Sequence, residues 1–217
     1  MKKWLLGVLV LICALVLVVP MAEPALASDT NRFKAVGAEA YWSVYDPVSG
    51  NYTDIWVGAA AELNQQPPGT PQAVRYVMVD VLRHRGPPED PYAEVFVEVI
   101  CQGEIPAGSL VIDPKLSSVS LSATGLPGFR VDWIQQTVIE VNLDVTVEWT
   151  AIGHFMREGE TYHYKGPDAI FNSHGAAKGR DASAEGTLSY DSTSIELAAS
   201  PESFIFSASS GSVEVSR

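Results

Sequence analysis

The chain has 217 residues and a formal net charge of −12 at pH 7. A surface this acidic repels phosphate backbones and anionic bilayers, which argues against nucleic-acid binding and against adsorption to a membrane. A single domain with one core is the simplest organisation for this length.

The first 27 residues have the three parts of a secretory signal peptide. Lys2 and Lys3 precede an apolar run, 4–19, which leads to the cleavage motif Ala25-Leu26-Ala27. We expect cleavage after Ala27 and a secreted, extracellular product without membrane attachment. Retention as an anchor is the alternative, although a membrane span needs roughly 20 apolar residues. The short signal and the absence of disulfides favour a bacterial source.

The cysteine content excludes an internal disulfide. Cys101 is the one cysteine that follows the predicted signal peptide, so the core must provide the stability of the fold. Cys101 shares a strand face with Val97 and Val99. We therefore expect a small buried side chain rather than a reactive thiol.

Alternation of apolar and polar residues dominates the remaining chain. Residues 28–34 are predicted to be a polar leader, and 35–217 a single all-β domain. Such alternation is typical of half-buried strands, and Gly, Pro, Asp and Asn separate the runs. The pattern predicts an antiparallel β-sandwich of about ten strands, with an antiparallel β-barrel as the alternative. The predicted strands are 35–46, 55–63, 73–84, 92–102, 116–123, 129–134, 138–149, 182–190, 194–198, 203–207 and 212–215.

The most regular alternation lies at 138–149 and predicts a central strand. Its apolar face is predicted to consist of Ile139, Val141, Leu143, Val145, Val147 and Trp149. The polar face contains Glu140-Val-Asn142-Leu-Asp144, which resembles the Glu-x-Asp-x-Glu strand of laminarinase-type glycoside hydrolases. That resemblance implies a jelly-roll sandwich that hydrolyses extracellular polysaccharide. Asn142 stands where that family has Asp, and Asp144 where it has Glu.

Carboxylate spacing limits the hydrolase hypothesis. Residues i and i+4 on a strand lie roughly 13–14 Å apart. A retaining pair needs about 5 Å and an inverting pair about 6.5–9.5 Å. The pairs Glu140/Asp144, Asp144/Glu148 and Glu94/Glu98 all miss these windows. A hydrolase would therefore need two carboxylates brought together across strands.

The stretch 154–180 lacks sustained alternation and is predicted to be a long irregular loop, with only brief β-like pieces at 162–164 and 169–171. Three of the four histidines lie in it, at His154, His163 and His174. Histidine and carboxylate side chains are zinc ligands, but neither His-x-His nor His-Glu-x-x-His occurs. No Asp-rich calcium loop is present either. We therefore predict neither a metal site nor a cofactor.

Trp56 is the candidate ligand-binding residue. It is out of phase with Ile55 and Val57, on a strand face that it shares with Gly58 and Ala60. An aromatic ring beside small residues on an outer face is suited to stacking a sugar ring or a partner side chain. Trp42 and Trp149 share faces with apolar neighbours and are predicted to be core residues.

The sequence lacks the motifs of nucleophilic, phosphate-binding and redox enzymes. It contains no Gly-x-Ser-x-Gly elbow, phosphate loop or Cys pair. Catalysis is therefore not predicted, and a non-enzymatic protein that binds a glycan, a cell-wall component or a protein outside the cell is favoured. An extracellular polysaccharide hydrolase and a barrel that holds an apolar small ligand are the alternatives. No oligomeric state is predicted.

Overall fold

A computed structural model of the chain describes residues 29–65, 72–86, 94–165 and 169–216. The predicted signal peptide lies outside these residues. The described part of the chain is all β, and no helix in it is long and apolar enough to cross a membrane. Its strands are β1 (Asp29–Asp46), β2 (Asn51–Gln65), β3 (Gln72–Arg85), β4 (Glu94–Glu104), β5 (Leu110–Ile112), β6 (Ser118–Asp132), β7 (Thr137–Ala151), β8 (Met156–Lys165), β9 (Ala169–Tyr190) and β10 (Thr193–Ser216).

Strand pairing follows the chain. Each strand pairs antiparallel with the next one in the order β1, β2, β3, β4, β6, β7, β9, β10. β10 also pairs with β1, with Ile205 opposite Ala38, so the pairing of these eight strands returns to its start. β5 pairs with β6, and β8 pairs with the first half of β9. The predicted all-β antiparallel fold is confirmed. A closed ring of paired strands is compatible with both a flattened barrel and a sandwich, the two arrangements expected from the sequence.

The core is formed by the alternate residues that the sequence pattern places inward. In β7 the odd-numbered residues from Val141 to Trp149 are buried and the even-numbered residues between them are exposed. Ile139, predicted to be inward, is 41% exposed because it lies near the end of the strand. Trp42 is buried, as predicted, and its indole N–H donates to the main-chain oxygen of Ala198 at 2.8 Å.

Cys101 is fully buried, in agreement with its predicted position on the inner face of β4. Burial raises the pKa of its thiol to about 11, because the thiolate would be desolvated there. The side chain is therefore a packing group in the core. No disulfide occurs within the part of the chain that the structure describes.

The prediction of an irregular loop at 154–180 is wrong. β8 and the first half of β9 form an antiparallel hairpin there, with Arg157 opposite Lys178 and Thr161 opposite His174. The three short strands predicted after residue 193 are one long strand, β10, in which the register shifts between Leu197 and Ser203. β1 begins at Asp29, so most of the predicted leader belongs to a strand.

Candidate functional sites

Trp56 lies on the outer face of β2, whereas its sequence neighbours Ile55 and Val57 point inward. Its six-membered ring covers Gly58: a Cβ atom added to this glycine would lie 2.5 Å from Cη2 of the indole. The side chain is partly exposed. The absence of a side chain at Gly58 therefore allows the indole to rest against the strand.

Two carboxyl groups lie on the same outer face, on the strands that neighbour β2. Glu39 of β1 lies opposite Gly58, and Asp80 of β3 lies opposite Trp56. Burial raises the pKa of Glu39 to about 6, and burial together with the charge of Glu98 raises the pKa of Asp80 to about 6. One oxygen of each carboxyl group is buried without a hydrogen-bond partner in the described part of the protein. Both carboxyl groups are half-buried, so each is only partly accessible from this face.

A polar and aromatic cluster continues this face toward the β1–β2 turn. Asp54 accepts a hydrogen bond from the Ser43 hydroxyl at 2.7 Å and lies 3.0 Å from the His84 imidazole. The His84 ring stacks on Tyr52, with 5.7 Å between the ring centroids. Burial, followed by a hydrogen bond with Asp54, raises the pKa of Tyr41. We call the surface formed by Glu39, Tyr41, Asp54, Trp56 and Asp80 the Trp56 face.

The carboxylates of the central strand have ordinary surroundings. Asp144 accepts a hydrogen bond from the main-chain N–H of Gly125 at 2.7 Å, at a register shift in β6. Glu140 lies exposed opposite Phe129. Pairing places Glu148 directly opposite Glu185, and both are exposed on the outer surface. This is a cross-strand carboxylate pair, but neither of the two cavities described below contains it.

The three histidines of 154–180 are only partly brought together. His163 pairs with Asn172 across β8 and β9 and forms a side-chain hydrogen bond with it. His174 lies in the next inward row of β9, and its ring rests against Gly211 of β10. His154 is exposed in the connection between β7 and β8. The described residues contain no group of three potential metal ligands.

One cluster that sequence reasoning missed lies where β1, β3 and β9 approach the connections at one end of the ring. Lys34, Arg75 and Lys178 line a cavity of about 360 Å³ there. An adjacent cavity of about 410 Å³ is lined by Lys34 together with Arg32 and His174. We call this region the cationic end. Its residues lie far apart in sequence, so no local motif marks it.

Comparison of the chain with protein-family models, curated proteins and solved structures gave no match. No residue role is therefore carried over from a relative.

Proposed function

We propose that this protein is an exported, non-enzymatic binding protein that holds an uncharged glycan on the Trp56 face. The observation that carries the proposal is the partly exposed indole of Trp56, which rests on Gly58. Glu39 pairs with Gly58, and Asp80 pairs with Trp56 itself. Sugar rings present C–H groups that pack on an aromatic ring and hydroxyl groups that need hydrogen-bond partners. The indole supplies the aromatic surface, and the accessible part of each half-buried carboxyl group supplies a hydrogen-bond partner.

The charge of this face selects the class of glycan. Asp54, Asp80 and Glu98 lie on the outer positions of β2, β3 and β4, and each carries a carboxyl group. Like charges near a binding surface disfavour an anionic ligand. A neutral oligosaccharide, including one of N-acetylated amino sugars, is therefore the expected ligand, whereas a uronic-acid polymer is not.

Tryptophan fluorescence and thermal unfolding of the purified protein test this proposal. The panel is cello-, xylo- and chito-oligosaccharides, all of them uncharged. A ligand at 100 times its dissociation constant adds about 2.7 kcal/mol to the free energy of unfolding, which a melting curve resolves. Binding should disappear in Trp56→Ala. Gly58→Ala should weaken it about tenfold by displacing the indole without removing it.

Trp133→Ala is the matched control. Trp133 is 53% exposed in the β6–β7 turn, away from the Trp56 face. Its replacement removes an exposed tryptophan but should leave glycan affinity unchanged. Binding that survives Trp56→Ala, or a panel without any ligand, would contradict the proposal and favour a protein partner.

A further inference from the structure

A single row of paired residues crosses six strands at the cationic end. In order across the sheet it is Arg75, Ala61, Val36, Ser207, Lys178 and Arg157. Residues paired in this way point to the same side of a sheet. Val36 and Ala61 pack against the core, so this row faces inward.

The inward positions of these strands carry cations, and the outward positions carry acids. Lys34 and Arg32 are two and four residues before Val36, and Arg180 is two residues after Lys178, so all three share the inward face. Glu39, Glu62 and Asp181 have the opposite parity. The residues that line the two cavities include no Asp or Glu. A protein with a net charge of −12 thus places six of its fourteen Lys and Arg residues on one inward face.

These cations lack carboxylate partners among the described side chains. Two of the arginines at the other end of the ring are paired: Arg85 with Glu94 at 3.2 Å and Arg130 with Asp191 at 2.9 Å. The third, Arg83, lies over the Phe96 ring. In contrast, the Nε atoms of Arg75 and Arg180 are buried and have no hydrogen-bond partner in the described part of the protein. A buried N–H without an acceptor is costly, and an anion in the cavity that Arg75 lines would supply an acceptor. The guanidinium of Arg180 lies over the Phe155 ring instead.

The cavity beside these cations also has an apolar wall. Leu110, Ile112 and Leu116 line it with Val36 and Ala61. Leu116 is 1% exposed and has a φ of 54°, a left-handed conformation that bulky residues rarely adopt. The turn that holds it is fixed by hydrogen bonds from Leu116 N and Ser117 N to Asp113. Backbone strain of this kind is frequent at binding sites.

We infer that the cationic end binds an amphiphilic anion, a molecule with one phosphate or carboxylate group and a short apolar tail. The charged group contacts Lys34, Arg75 and Lys178, and the tail lies against Leu110, Ile112 and Leu116. A volume of about 360 Å³ lies in the range of small-molecule sites. The buried side chains of the core lie beneath this cavity, so the ligand occupies the mouth of the ring. This inference is independent of the Trp56 face.

Isothermal titration with four probes below their aggregation concentrations tests the inference. Decyl phosphate carries both features, inorganic phosphate lacks the tail, decyl maltoside has a neutral head and decyltrimethylammonium a cationic head. We expect decyl phosphate to bind, inorganic phosphate to bind at least about tenfold more weakly, and the other two not to bind. Increasing salt should weaken binding of decyl phosphate. Equal affinity for decyl maltoside, or no binding of decyl phosphate, would overturn the inference.

Variants locate the site. Lys34→Gln with Lys178→Gln changes two exposed side chains and should lower decyl phosphate affinity about tenfold or more. Ile112→Ser should weaken binding of decyl phosphate but not of inorganic phosphate. Arg85→Gln, at the opposite end, is the control and should change neither. A double lysine variant that melts normally and binds decyl phosphate like the parent would refute this assignment. Trp56→Ala should leave this binding intact, which separates it from the glycan proposal.

Discussion

The indole N–H of Trp149, on β7, donates a hydrogen bond to the main-chain oxygen of Glu39, on β1, at 3.0 Å. These strands are not neighbours in the pairing order, so the bond crosses the interior of the ring. Trp149 is fully buried, which leaves no water to replace either partner. The bond therefore links the central strand directly to the backbone beneath the Trp56 face.

Replacement of Trp149 by Phe should be strongly destabilising, although it is a conservative change from one aromatic residue to another. The variant keeps an aromatic ring but removes the N–H, and an unpaired buried polar group costs about 1–3 kcal/mol. Together with the partial cavity we expect a loss of about 2–4 kcal/mol in the free energy of unfolding, measured by urea titration. Trp133→Phe, at an exposed position, should cost less than about 0.5 kcal/mol. Equal effects of the two substitutions would disprove the role of this bond.

Residue alternation predicts the inward position of Trp149 because one face of β7 packs in the core and the other is exposed to solvent. The same signal fails in β9, where His174, Ala176 and Lys178 occupy the inward face. That face lines an open, charged mouth, so both sides of the strand are polar and the period of two disappears from the sequence. The sequence of the β8–β9 hairpin therefore resembles that of a loop.

The Trp56 face and the cationic end differ in how much of each can be read from the sequence. Trp56 is recognisable because it interrupts the apolar phase of its own strand. Glu39 and Asp80 join it only through the register of β1, β2 and β3, which the sequence does not fix. The cationic end depends wholly on register, since Arg75 and Lys178 lie four strands apart in the pairing order and about a hundred residues apart along the chain.

The carboxyl groups of Glu39 and Asp80 should make stability depend on pH. Their folded pKa values of about 6 lie above the ordinary values of 4.5 and 3.8, so folding favours the protonated forms. Their contribution is complete below the unfolded pKa values and is lost as the pH rises through about 6. Glu39→Gln and Asp80→Asn should each stabilise the protein by roughly 1–2 kcal/mol at pH 7.5 and by little at pH 4.

Urea titrations at the two pH values measure this difference between variant and parent. Glu140→Gln is the control, because Glu140 is exposed on the outer face of β7, and it should change stability little at either pH. A gain at pH 4 as large as that at pH 7.5 would show that packing, rather than ionisation, explains the effect of the amides.

Gln136 offers a stabilising substitution in the β6–β7 turn. It has a φ of 53° and is exposed, and the Asp132 carboxylate accepts hydrogen bonds from Ile134 N and Gln135 N in the same turn. A left-handed conformation costs an L-residue roughly 1–2 kcal/mol, which glycine avoids. Glycine loses more backbone entropy on folding, so Gln136→Gly should raise the free energy of unfolding by about 0.5–1 kcal/mol.

The reciprocal substitution completes this test. Gly50, in the β1–β2 turn, has a φ of 71°, and an added Cβ atom would meet nothing within 4 Å. Gly50→Ala therefore introduces the conformational penalty without a steric clash and should lower the free energy of unfolding by about 1 kcal/mol. Asp191 also has a positive φ, of 50°, but its salt bridge with Arg130 makes a glycine there uninformative. If Gln136→Gly destabilised the protein while Gly50→Ala had no effect, backbone strain would not govern these turns.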